Sequence, residues 1–150
     1  MRRTAFYGTV TVFLTTAANL LHAISHVGQG VLSLELWQLS YVIGVIYLAP
    51  IASAVLLWTP YRLAGAWLLF ASMAGSFLFD FAYHFLIPGP DNVFTLRPGA
   101  WLATFWVSSV LLVAVTGLGT LVGGWVVARV SRFRRRVPFA IAPHRPPRAW

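Results

Sequence analysis

Between Thr4 and Leu34 the chain carries no charged side chain, and three more apolar runs of similar length follow. About 20 such residues span the hydrocarbon of a bilayer, where a helix satisfies every backbone donor and acceptor within its own segment. Only 9% of the residues are charged, against about a quarter in soluble domains. The fold class is therefore an all-α integral membrane protein, a four-transmembrane-helix bundle. Helices are expected at about residues 5–26, 36–58, 63–86 and 100–128, with a basic, proline-containing tail at 129–150. Pro50 lies inside the second run, where a missing backbone donor predicts a kink. The first run has a rival reading as a cleaved signal peptide, through Arg2, Arg3 and the small residues Thr16, Ala17 and Ala18. Against it, the apolar run continues past Ala18 and carries two histidines.

All the positive charge is arginine, and the net charge is +8. In a four-span chain Arg2, Arg3, Arg62 and the cluster from Arg129 to Arg136 fall on one side, with Arg97 on the other. Short cytoplasmic segments carry the positive excess, so both termini are expected in the cytoplasm of a prokaryotic plasma membrane. The same cluster suits anionic lipid better than a nucleic-acid groove. Gly119 and Gly123 form a GxxxG pair on the fourth run, which allows close helix contact within the chain or in a homo- or hetero-oligomer. No cysteine is present, which excludes thiolate metal sites and cysteine nucleophiles.

Two histidine pairings stand out in this apolar background. His22 and His26 are four residues apart on the first run, and Asp80 and His84 repeat that spacing on the third. Such spacing puts both members on one helical face. Each pair extends into a polar stripe, Thr15, Asn19, His22 and His26 on one helix and Ser72, Ser76, Asp80 and His84 on the other. Ionisable groups are costly in lipid, so both stripes should turn inward and meet in the outer, extracytoplasmic half. His144 lies in the tail, on the opposite side, and is not a candidate ligand.

Three imidazoles and a carboxylate suit a transition metal, namely Zn, Cu or Fe. His22, His26, His84 and Asp80 are the candidate metal ligands. Asp80 could also act as a base, with Glu35 as a further participant, and Asn19, Ser25, Ser76 and Tyr83 could orient the rings. The loops around Gln29 and Asp91 would control access. This constellation broadly resembles membrane hydrolases and copper or di-iron oxygenases, without matching their motifs residue by residue. A multi-pass membrane protein with this metal-binding site in the outer half of the bundle is the leading reading, a metal-dependent membrane enzyme being one form of it. The alternatives are a haem b electron carrier using His22, His26 and His84, a non-catalytic accessory subunit of a larger complex, and a proton-coupled transporter.

Overall fold

A computed structural model describes residues 2–31 and 34–136, the last four by their backbone only. His144 and the rest of the tail from 137 lie outside the described residues. Four helices account for nearly all of it: α1 Arg2–Gln29, α2 Leu36–Leu57, α3 Arg62–Leu86 and α4 Leu102–Arg136. Each is long and apolar enough to cross a membrane. Among the described residues there is no strand.

The helices run up and down in turn. α1 and α3 each pack along α4, and α2 leans on α3 and, less closely, on α1. α1 and α3 thus stand diagonally across the bundle, which brings their polar stripes together at its axis instead of at a helix seam. All eight stripe residues are buried. The end of the bundle where α1 and α3 finish also holds Glu35, Asp80 and Asp91, and is called the acidic end below. The opposite end carries Arg2, Arg3, Arg62 and Arg129 and is called the arginine end.

Packing at the arginine end is dry and close. Leu57, Ala66, Leu69, Met73 and Val126 lie in one buried cluster drawn from α2, α3 and α4, with Ala5 and Val12 of α1. Gly119 and Gly123 both face this interior. A Cβ on Gly123 would stand 2.8 Å from Phe70 Cα of α3, and one on Gly119 2.8 Å from Met73 Sδ. The close approach these glycines permit is therefore between α4 and α3 of the same chain.

Helix ends differ from expectation for identifiable reasons. α1 runs on past His26 to Gln29, because the residue that stops it is Gly30, at φ 70°. There the Val31 N–H reaches back to the His26 carbonyl at 3.1 Å, a left-handed cap that favours glycine. α4 continues to Arg136, since arginine is a good helix former and a bilayer boundary is no helix boundary. Pro50 is accommodated by widening the helix: Val42–Leu48 is π-helical, and the Ala49 N–H bonds Gly44 O instead of Val45 O. A second π-helical turn, Ala82–Leu86, precedes Pro88 and holds His84. Such single turns absorb a disrupted bond ladder and re-aim the side chains on them.

Candidate metal centre

The three histidines of the stripes meet. One nitrogen from each of His22, His26 and His84 lies within 4.8 Å of the others, and all three residues are buried. The closest pair is His22 Nε2 and His26 Nε2 at 2.9 Å. Ring centroids of His22 and His84 are 4.5 Å apart. A zinc-type ion about 2.0–2.1 Å from each nitrogen holds its tetrahedral ligands roughly 3.3 Å apart. The observed separations bracket that spacing. Phe105 of α4 closes the far side of the trio, its ring centroid 5.0 Å from His22 and 4.9 Å from His26.

The outward-facing ring nitrogens of His84 and His22 are tied to oxygens. His84 Nδ1 lies 3.2 Å from the main-chain oxygen of Asp91. A carbonyl only accepts, so this Nδ1 carries the hydrogen and leaves Nε2 with the lone pair of the neutral ring. His22 Nδ1 lies 3.0 Å from Ser108 Oγ. That hydroxyl donates to Phe105 O, and Ser25 Oγ, 3.0 Å away, donates to His22 O. With both hydroxyl hydrogens used, Nδ1–H of His22 becomes the donor to Ser108. His26 Nδ1 faces Asp91 Oδ1 at 3.6 Å, and neither atom has a hydrogen-bond partner.

A consequence follows at the centre. If Nδ1 is the protonated nitrogen of both His22 and His26, their Nε2 lone pairs confront each other at 2.9 Å. A proton or a metal cation between them removes that repulsion. Imidazoles that ligate a metal through one nitrogen characteristically donate from the other to a carbonyl or carboxylate; His84 does so to the Asp91 main chain, while His22 uses a hydroxyl and His26 only faces the Asp91 carboxylate.

Asp80 stands on the wall of the same cavity, a space of about 110 Å³ that also includes His22, His26, His84, Asn19 and Asp91. It is not one of the three clustered donors. Its side chain is buried and its Oδ2 is without a hydrogen-bond partner, as is Ser76 Oγ one turn earlier. An unpaired carboxylate in such surroundings is costly unless a proton or a cation accompanies it. The floor on the α2 side comes from the π-helical segment, through Val42, Ile46 and Tyr47.

The remaining expected participants are placed differently. Glu35 is exposed at the start of α2, where its N–H donates to Gln38 Oε1 at 2.8 Å and its carboxylate accepts from Trp37 Nε1 at 2.7 Å. It lines an outer cleft of about 440 Å³ with Tyr83, Pro88 and Asp91. Leu34 and Asp91 belong to both this cleft and the inner cavity, which makes them the divide between them. The Asn19 amide is spent on Thr15 O of its own helix. Tyr83 packs against Phe79 and Trp37. Ser25 sits beside the His22 ring's partner, Ser108, without bonding a ring itself.

Two residues that hold the rings were missed from the sequence. Ser108 belongs to a buried face of α4 with Phe105, Ser109, Leu112 and Thr116, a spacing of three and four that could have been noticed. Asp91 is expected only in an access loop, where burial carries no sequence signal. It is 8% exposed because the loop folds back, with the Val93 N–H bonded to His84 O at 3.0 Å and the Asn92 amide to Ile87 O at 3.1 Å. Burial pushes the Asp91 carboxyl up to about 6.

No protein-family model, curated protein or solved structure matches this chain.

Proposed function

We propose that the protein is a membrane metalloprotein in which His22, His26 and His84 bind one zinc, copper or iron ion. The observation that carries this reading is the set of three buried imidazoles with nitrogens within 4.8 Å, their Nδ1 atoms turned toward Ser108 and Asp91. Three protein ligands leave a coordination position for water or substrate, and a metal so bound acidifies water or polarises a small ligand. Asp80, across the cavity, is the acid–base group for that position or a fourth ligand. Small molecules enter through the cleft bounded by Glu35 and Tyr83 and pass Leu34 and Asp91. An enzyme of small, water-soluble substrates follows from that size and route.

The size of the cavity also favours a bare ion over haem. A space of about 110 Å³ is well below the roughly 300 Å³ at which ligand pockets begin, and imidazole nitrogens 2.9 Å apart leave no slot for a macrocycle. Transport fits less well, because Ala66, Leu69 and Met73 are fully buried across the other half of the bundle. An accessory subunit would not require the tethers on His22 and His84.

The arginine distribution supports an orientation with the arginine end, and both termini, in the cytoplasm and the metal centre toward the extracytoplasmic face of a prokaryotic plasma membrane. The arginines from 129 to 136 then lie against anionic lipid.

Elemental analysis of detergent-purified protein is the test. Wild type should retain close to one equivalent of a transition metal, and His22→Ala should lose it while keeping its helical circular dichroism. A metal-free wild type that takes up none on titration with zinc, copper(II) or iron(II) would refute the proposal, as would unchanged content in the variant.

A further inference from the structure

A second site lies at the opposite end. Arg2 of α1 and Arg62 at the start of α3 line one cleft of about 650 Å³, whose walls include Ala5, Leu57, Trp58 and Pro60. Arg62 is half-buried. Among the described residues the ion pair present is His26 with Asp91, and all three acidic side chains, Glu35, Asp80 and Asp91, are placed at the acidic end. No Asp or Glu can therefore neutralise these two guanidinium groups. The cleft is also held in shape. Trp58 Nε1 donates to Thr9 Oγ1 at 3.0 Å, joining the end of α2 to α1, while the indole remains 57% exposed. Beneath it lies the dry core around Leu57, Ala66 and Val130.

We infer that this cleft binds the phosphate of one anionic phospholipid between Arg2 and Arg62, with the lipid's glycerol and acyl region against Trp58. Guanidinium groups match phosphate oxygens bidentately, and a phosphate bridging two arginines from separate elements supplies the counter-charge that the chain lacks. The exposed indole distinguishes the ligand from a free anion. A soluble phosphate would leave Trp58, 57% exposed, without a partner, whereas a lipid covers it. Aromatic side chains such as Trp58 concentrate at the head-group level of membrane proteins. The bound lipid ties the start of α1 to the turn between α2 and α3, and so stabilises the folded bundle by mass action.

The experiment uses the full chain in a mild non-ionic detergent. Thermal unfolding is followed with added phosphatidylglycerol, phosphatidylcholine or inorganic phosphate. Phosphatidylglycerol should raise the wild-type midpoint by about 4 °C or more, and the other two additives should not. The double variant R2Q/R62Q should lose most of that shift, and R129Q/R132Q should keep most of it. An equal response to phosphatidylcholine, reproduction by free phosphate, a full response in R2Q/R62Q or an equal loss in R129Q/R132Q would each overturn the proposal. Native mass spectrometry gives a reading independent of stability. One phosphatidylglycerol should be retained per wild-type chain and none by R2Q/R62Q, and unchanged retention in that variant contradicts the site.

Discussion

The two ends of this bundle are built by opposite rules. At the arginine end, helices touch through glycine and small apolar residues, with Leu69, Met73 and Ala66 fully buried. At the acidic end the same four helices stand around a cavity lined by His22, His26, Asp80 and His84. Both π-helical turns widen toward that end, the buried atoms without partners lie there on Asp80, Asp91 and His26, and Ser76 lies one turn below. In lipid, apolar burial adds little to helix association, so close packing is what holds a membrane bundle together. The dry half thus supplies the stability against which the polar half can keep unpaired groups and open space.

Substitutions at either end should separate stability from metal affinity. The largest effect should come from Gly123→Leu, because even a Cβ there meets the α3 backbone at 2.8 Å. Overpacking of this kind costs about 3 kcal/mol, read as a lowered unfolding midpoint, while protein that remains folded should still bind metal with wild-type affinity. A loss of affinity matching the loss of stability would show that the halves are not separable. Asp91→Asn is the converse. It weakens the seat of His26 while keeping the main-chain oxygen for His84, and such supporting groups are worth about 10–100-fold in metal affinity. The metal-free midpoint should hardly move. Ser108→Ala should weaken metal binding by about tenfold through the His22 ring, measured by competition with a chelator. The smallest effect belongs to Glu35→Ala, which removes the partner of Trp37 and should cost about 1 kcal/mol or less with no change in metal affinity. A large affinity loss there would return Glu35 to the site.

The same contrast governs how much was legible in the sequence. Four helices long and apolar enough to cross a membrane, and two stripes buried between them, followed from charge-free runs and from His22/His26 and Asp80/His84 spacing, because an ionisable group in an apolar segment has few places to go. His84 was legible as a candidate, but the π-helical turn that carries it was not. Pro50 and Pro88 announce a lost donor, and whether the helix kinks or widens depends on neighbouring packing. Ser108 was hidden because serines are common in membrane helices and carry no charge. Asp91 was hidden because Pro-Gly-Pro-Asp-Asn reads as a turn, and its burial depends on a loop whose return no periodicity encodes. The extension of α4 to Arg136 was hidden for a simpler reason: hydropathy marks where lipid ends, whereas helix propensity marks where a helix ends.

Three imidazoles from α1 and α3 are expected to converge on one ion. X-ray absorption spectroscopy of the zinc-loaded protein tests it most directly, since histidine rings give a distinctive outer-shell scattering pattern. Three imidazole nitrogens at about 2.0–2.1 Å, with oxygen completing the shell, are predicted, falling to two in His84→Ala. One imidazole or none in wild type, or a spectrum unchanged by His84→Ala, would contradict it.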